Sequence, residues 1–373
     1  MTRRTALVWD ERTMWHTTGP STGIFVAHGQ LQPGVHVENP ETKRRLKNLL
    51  DGYGVTDDLD LLGAAAVDDD VLLRFHTPDY LERLATLSRA SGGQAGDSAP
   101  FGAGSYELAR RAVGCCLSGA HAVVDGQVDN AYVLTRPPGH HAERDRGRGF
   151  CLLANLSLAV LDLLALGKVE RVAIVDWDVH HGNGTQQAFY ADPRVLTLSI
   201  HQDQLYPAES GFLSETGEGS GLGRNMNVPL PPGSGAAAYS DVFDRVVEPA
   251  FRDFEPDLIV IACGFDSSYF DPMGHMLLLS PHYAAMTERL CALADALGHG
   301  RVLCCHEGGY SESYVPFCGV ATIDALRGQR STLRDRFAEG DEYSWQALQP
   351  HQRSAVDAAV SGPLQAFVDA AAG

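Results

Sequence analysis

The sequence predicts an α/β domain of the doubly wound kind, and three observations carry that prediction. Short β-rich runs alternate with stretches of helical apolar spacing along the chain. Several of the β-rich runs are apolar at successive residues, Leu258-Ile259-Val260-Ile261-Ala262 being the clearest. Two of the helical stretches open on an Asn-Pro or Ser-Pro pair and stop at glycine. A strand apolar at every residue is buried on both faces, which suits a parallel sheet covered by helices on either side.

In chain order, the first β run is Ala6–Trp9. Asn39-Pro40-Glu41 then places a capping residue before proline at the first helical position, and Leu46, Leu49 and Leu50 follow before Gly52. Between Ser105 and Gly126, residues Leu108, Ala112, Val113, Cys116, Ala120 and Val123 keep helical spacing. Further β runs fall at Ala131–Thr135, Arg171–Asp176, Val195–Ile200 and Leu258–Ala262. Ser280-Pro281 opens another helix, with Met286, Leu290, Leu293 and Leu297 on one stripe and Gly298 as its stop; Val302–Cys305 is the last strand. The alternation continues across Ser91–Gly104 and Glu209–Arg224, so both read as loops of one body. The expectation is a single domain over residues 1–373, with a core of about 5–328 and a helical segment of about 329–373.

The 373 residues are 44% hydrophobic and 20% charged, which excludes a mainly disordered chain and a disulfide miniprotein. Lys plus Arg number 29 against 47 Asp plus Glu, a net charge of −18. Such a chain repels phosphate backbones and anionic lipid, so neither nucleic acid nor a membrane is an expected partner, whereas a cationic ligand is favoured. No apolar run reaches the ~18 residues of a membrane span, and the run that starts the chain stops at Asp10, too soon for a signal peptide. Eight cysteines without a CxxC pair, several inside apolar runs, read as small buried hydrophobes of a cytoplasmic protein.

Ligands of open parallel sheets bind beyond the carboxyl ends of the strands, and four ends here carry chemistry. After Arg171–Asp176 comes Trp177-Asp178-Val179-His180-His181-Gly182-Asn183. Residues two apart share one side of an extended chain, so Asp178 and His180 project together, with Asp176 at the same parity. A carboxylate and an imidazole there make two-thirds of a catalytic metal site, and three buried polar groups on one side demand a cation or hydrogen-bond partners. Past Leu258–Ala262, Asp266 is a candidate third ligand, although alone it equally suits a helix cap. Three protein ligands with an open position mark a hydrolytic rather than a structural centre.

The third end is Arg136-Pro137-Pro138-Gly139, a rigid turn that presents His140 and His141. Adjacent histidines are expected to diverge, which suits an acid/base pair better than joint chelation of one ion. The fourth is His306-Glu307-Gly308-Gly309-Tyr310, where two glycines admit the backbone to a cleft and Tyr310 is a donor for a developing oxyanion. The phosphate loop, the dinucleotide fingerprint, HExxH and the GxSxG elbow are all missing, which removes support from nucleotide chemistry and serine hydrolysis.

Taken together, Arg136-Pro-Pro-Gly-His-His141, Asp176-Trp-Asp-Val-His-His-Gly-Asn-Gly-Thr185, Gly264-Phe-Asp266 and Glu307-Gly-Gly-Tyr310 resemble the histone deacetylase family. The likeness is greatest to class II members and to the bacterial histone deacetylase-like amidohydrolases. It runs from the first strand to about Gly328 and takes in Asn39–Arg45 and Asn225–Leu230. The resemblance implies an arginase/deacetylase-like α/β domain, an eight-stranded parallel sheet flanked by helices, with long loops forming the active-site mouth. It implies one zinc ion (Zn2+) held by Asp178, His180 and Asp266, with His140 and His141 moving protons and Tyr310 polarising the acyl carbonyl. Asp176 would hydrogen-bond His140, and Asn183 would orient His141. A neutral amide stabilises an imidazolium less than a carboxylate does, so His141 should stay a neutral base.

The resemblance further implies a structural potassium ion (K+) at Asp176, Asp178, His180, Ser199 and Ile200, and a second around Phe189, Asp192 and Val195. Phe150, after Gly149, and Tyr206 would wall an acetyl-lysine tunnel, and Asp97 matches a rim acid that grips substrate backbone. The implied reaction is zinc-dependent removal of an acetyl or acyl group from an acetyl-lysine-type amine by activated water, on a peptide or protein. An acetylpolyamine amidohydrolase, which shares fold and centre, is the alternative, and the acidic composition suits either cation. Retention of His140, His141 and Tyr310 argues against a silent acetyl-lysine binder. An Asp/Asp/His set also accommodates Fe(II) or Co(II). A homo-oligomer with Trp15–Pro33 at the contact completes the expectations.

Overall fold

The computed structural model describes residues 2–19, 21–27, 29–339 and 344–372. Its centre is one sheet of eight strands: β1 Thr5–Trp9, β2 Asp60–Leu62, β3 Asn130–Leu134, β4 Val172–Asp176, β5 Val195–Gln202, β6 Asn225–Leu230, β7 Leu258–Cys263 and β8 Val302–His306. The order across the sheet is β6-β5-β4-β7-β8-β3-β1-β2, and every pairing is parallel. This is the α/β architecture that the apolar runs predict, with the eight-stranded parallel sheet that the resemblance implies.

The successive apolar residues divide between two cores, as double coverage requires. Ile259, Ile261, Tyr132 and Cys304 face the helices Glu41–Gly52, Ser280–Ala296 and Val315–Arg327. Val260, Ala262, Val133 and Cys305 face Ser105–Val124 and Asn155–Ala165. All eight cysteines are buried and free, packed as small hydrophobes. Val356, Ala359 and Phe367 of the C-terminal helices join the first core at 1% exposure or less, so the tail is packed rather than trailing.

Two strands escape the sequence pattern. The edge strand β2 is three residues long and half-exposed. The other edge, β6, carries Asn225, Asn227 and Pro229; both asparagines are buried and donate to Gln186 Oε1, at 2.8 and 2.9 Å. Proline is tolerated there because an edge strand has one side without ladder bonds. One helix start also differs from expectation. Asn39 does cap, its Oδ1 accepting from Glu41 N at 2.9 Å, but Ser280 does not. Its hydroxyl donates to Asp335, and His282 Nδ1 accepts from Leu279 N at 2.9 Å instead. Among the described residues no helix is long and apolar enough to cross a membrane.

Candidate active site

Four neighbouring central strands, β4, β7, β8 and β3, supply the loops of the site, so the sheet register fixes their relative heights. Asp176 lies opposite Ala262, and Cys263 opposite His306. Past Asp176 the chain leaves the strand and bends, knitted by side chains to backbone. Asp176 Oδ1 accepts from Asp178 N at 3.0 Å, and Asp178 Oδ1 accepts from His180 N at 2.9 Å. The bend brings His180 Nδ1 to 3.0 Å from Asp178 Oδ1 and 3.1 Å from Asp266 Oδ2. Donor atoms of Asp178, His180 and Asp266 all lie within 4.8 Å of one another.

Both carboxylates of that trio are fully buried, and His180 is 6% exposed. Burial, then the charge of Asp178, pushes Asp266 up to about 8. On Asp178 burial works the same way, but His140 and His180 overcome it and hold the group down. Two buried acids pulled apart in this manner form a site that a divalent cation would relieve. The donor set, two oxygens and one imidazole nitrogen, fits zinc and leaves room for a further ligand. Glycine is required beside it. A Cβ on Gly308 would strike the carboxylates of both Asp266 and Asp178, and Gly309 sits at φ +119°. Gly308 N instead donates to Asp178 Oδ2 at 2.8 Å.

The two histidines of the β3 loop correct an expectation. They do not diverge: their ring centres lie 4.0 Å apart, because residues 140 and 141 occupy a turn rather than an extended chain. Their second nitrogens differ in partner. His140 Nδ1 is 2.9 Å from Asp176 Oδ2, and His141 Nδ1 is 2.7 Å from Asn183 Oδ1. Burial disfavours charge on both. On His140 the carboxylates of Asp178 and Asp176 outweigh burial and raise its pKa well above the ordinary imidazole range. On His141 the neighbouring His140 and His180 add to burial and lower it well below. Two imidazoles whose affinities for a proton are driven apart are what acid/base chemistry needs.

Above them lies a cavity of about 320 Å³ lined by Tyr310, His141, His180, Phe150, Tyr206, Gly149, Ser98, Leu205, Met273, Ile24 and Phe25. Phe150, at φ +69°, turns its ring edge-on to Tyr310 at 5.8 Å. Tyr206 stands edge-on to His141 at 5.0 Å. Its hydroxyl ties the rim together: it accepts from Gly149 N at 3.0 Å and donates to Asp97 Oδ2 at 3.0 Å. Arg148 Nη2 also reaches Asp97, at 3.3 Å.

The residues implied for potassium are partly engaged. Ser199 lies opposite Asp176 in the sheet, next to Ile200, but its hydroxyl is 2.9 Å from His201 Nδ1. Phe189, Asp192 and Val195 share one turn, Asp192 N donating to Phe189 O at 3.0 Å. The Asp192 carboxylate closes on Arg194 at 2.7 Å.

Of the residues that build the site, Glu38, Asp271 and Glu143 carried no periodic or motif signal, and Glu307 stood in a motif without an assigned role. Glu307 Oε2 accepts from Gly139 N at 2.7 Å and His140 N at 3.1 Å, fixing the histidine turn; burial raises its pKa to about 7. Asp271 Oδ2 accepts from Tyr310 N at 2.7 Å and Ser311 N at 3.1 Å. Glu38 takes the Arg136 guanidinium in a two-pronged pair, 2.7 and 2.8 Å, with Lys43 at 3.7 Å, all three buried. Glu143 accepts from Asn183 Nδ2 at 2.8 Å. A second buried trio, His140, Cys151 and Glu307, also comes within 4.8 Å, but His140 Nδ1 and Glu307 Oε2 are already engaged as above.

A parallel eight-stranded sheet with this cluster at its carboxyl end is the arrangement of the arginase/deacetylase-like fold class. The histone deacetylase domain profile matches residues 36–326. A histone deacetylase-like amidohydrolase of Pseudomonas aeruginosa is 48% identical over 338 residues, which span 90% of this chain and 89% of that protein. A probable deacetylase of Archaeoglobus fulgidus is 37% identical over 313 residues, 82% of this chain and 86% of that one. The crystal structure of the HDA15 HD domain superposes with a TM-score of 0.85 at 31% identity, covering 100% of this chain and 97% of that chain. The chain belongs to the histone deacetylase family.

Proposed function

We propose that the protein is a zinc-dependent deacetylase that hydrolyses the acetyl-lysine amide of peptides or proteins. The observation that carries this reading is the buried Asp178, His180 and Asp266 trio, set beside two imidazoles of opposed basicity at the floor of a cavity that Tyr310 lines. When bound, the metal supplies Lewis acidity to an acyl oxygen and acidifies water. His141 accepts the proton of the attacking water at Nε2. Tyr310 donates its phenol to the acyl oxygen as charge develops there. His140, held by Asp176, returns a proton to the leaving amine. We assign the structural potassium to Asp176, Asp178, His180, Ser199 and Ile200, and a second to Phe189, Asp192 and Val195.

The cavity wall favours lysine over a polyamine. Ile24, Phe25, Leu205 and Met273 line it, and none of its described lining residues is acidic. The rim acid Asp97 is already engaged by Tyr206 and Arg148. The second ammonium of an acetylated polyamine therefore meets an apolar wall, which suits the stem of a peptide lysine. We further infer that the chain acts as one unit over 1–373, because its tail shares the main core, and that copies associate through the 15–33 segment. Trp15 is 62% and Phe25 61% exposed there; Pro20 and His28 of that segment, and 340–343 of the tail, lie outside the described residues.

Metal analysis of the purified protein, joined to an acyl-substrate panel, tests the reading. Zinc near one per chain, loss of turnover with a chelator, recovery on zinc addition, and loss of bound zinc in Asp178→Ala are expected. Faster turnover of acetylputrescine than of acetyl-lysine peptides would replace the substrate. Full activity after complete metal removal would overturn the mechanism.

A further inference from the structure

We propose that Glu143 is a positioning residue: it fixes the amide of Asn183, and through that amide the tautomer of His141. The proposal rests on His141 being the proton acceptor of the reaction above. It adds a reason why position 183 carries an amide.

Asn183 opens the helix Asn183–Phe189 and is 6% exposed. Its Oδ1 is 2.7 Å from His141 Nδ1. Its Nδ2 has two partners, Glu143 Oε1 at 2.8 Å and the backbone oxygen of His141 at 3.3 Å. A backbone carbonyl accepts only, and so does an ionised carboxylate. Glu143 is 7% exposed, and both its oxygens already accept from guanidiniums: Oε1 from Arg148 Nη1 at 3.2 Å and Oε2 from Arg146 Nε at 2.6 Å. Rotating the Asn183 amide by a half-turn would therefore set its oxygen against two acceptors at once. The amide has one permitted orientation, with Oδ1 toward the imidazole.

An acceptor at Nδ1 requires a hydrogen on Nδ1. The neutral ring must then carry its lone pair on Nε2, the nitrogen that a base needs free. Glu143 thus acts on the base from two bonds away without touching substrate. The arrangement also excludes a carboxylate at 183. Its oxygen would take the place of Nδ2, 2.8 Å from Glu143 Oε1 in a buried setting, and two carboxylates that close cannot both ionise. On the other histidine a carboxylate does make that contact, Asp176 Oδ2 lying 2.9 Å from Nδ1 while its Oδ1 accepts from the Asp178 N–H. Glu143 and Asn183 are in this sense a matched acceptor–donor pair, and the match can be reversed. An aspartate at 183 beside a glutamine at 143 restores one donor and one acceptor between them, with a carboxylate oxygen still facing His141.

The test is a four-member cycle on the metal-loaded protein: wild type, Asn183→Asp, Glu143→Gln and the double variant, with kcat and KM measured on an acetyl-lysine peptide. Asn183→Asp should lower kcat at least tenfold with KM within twofold. Glu143→Gln should lower kcat when Asn183 is present, and raise it at least tenfold when added to Asn183→Asp. Effects that simply multiply would overturn the proposal. Should Asn183→Asp fail to fold, the tautomer decides instead. Nitrogen-15 NMR of histidine-labelled wild type, assigned by the signal lost in His141→Gln, should show the hydrogen on Nδ1; a hydrogen on Nε2 would overturn the proposal. Glu143→Met should raise the fraction carrying the hydrogen on Nε2, which a merely structural role would not do. The NMR result stands whether or not wild type turns over, so failure of the deacetylase reading is distinguishable from failure of this one.

Discussion

Replacing Tyr310 by phenylalanine removes one oxygen from the cavity and leaves the rest of the residue in place. The ring keeps its edge contact with Phe150 at 5.8 Å, and the loop keeps its anchor, since Asp271 holds the Tyr310 backbone N–H rather than the side chain. Among the described residues the phenol makes no hydrogen bond to protein. Folding should therefore change by less than ~0.5 kcal/mol, with the melting temperature nearly unmoved. Burial, with the charges of Asp266 and Asp178, lifts the phenol well above its usual pKa, so it remains a donor through the alkaline range. A donor aimed at developing charge is worth ~3–4 kcal/mol, or about 10²–10³ in kcat. Because that bond tightens only as the carbonyl oxygen gains charge, KM should stay within about twofold. Steady-state kinetics on a fluorogenic acetyl-lysine peptide, beside a thermal melt, give both numbers. A variant whose kcat stays within threefold of wild type, or whose loss falls on KM, would refute the role given to Tyr310.

Three further outcomes follow from the same contacts. Tyr206→Phe removes the link between Gly149 and Asp97, worth ~1 kcal/mol net; peptide KM should rise about fivefold with kcat little changed, and an unchanged KM would show that the rim needs no such tie. Glu38→Gln strips the buried Arg136 and Lys43 of their carboxylate. Urea denaturation should then show a loss of ~3–5 kcal/mol, and a loss below ~1 kcal/mol would contradict the assignment. His76 is buried and held neutral, its pKa brought down by burial to about 4 from 6.5. Its contribution to stability is complete above pH 6.5 and is lost as pH falls from 6.5 toward 4. His76→Gln should therefore flatten the stability–pH curve in that window by about 1.4 kcal/mol per pH unit; an unaltered slope would mean that the wild-type ring is charged there.

The strands that position the site were legible because each is apolar on consecutive residues. The ligands were legible because they follow those strands within three or four positions. Pairing order was not, since β3 and β8 adjoin in space while about 170 residues apart in sequence, and no local pattern encodes that. β6 was visible only through the family likeness, because Asn225 and Asn227 are buried by hydrogen bonding rather than by hydrophobicity. The histidine pair was recognised but its geometry misjudged: parity rules hold for extended chain, and Glu307 holds this segment in a turn. Glu143 looks in sequence like one more surface acid among the five charged residues of 143–148. Only the approach of the Asn183 helix gives it a role.

The position of β8 has a consequence for how the molecule comes into being. Residues 5–134 build one flank of the sheet, with the paired imidazoles at its lip, and residues 172–263 build the other, with the three candidate ligands at its end. Within the sheet, the strand that pairs with both is Val302–His306. A chain delivered to three-quarters of its length thus carries both imidazoles and the whole Asp/His/Asp trio, yet lacks the strand that pairs with both halves of the sheet. A product that ends before residue 302 keeps most of the motif residues but has neither this central strand nor Tyr310.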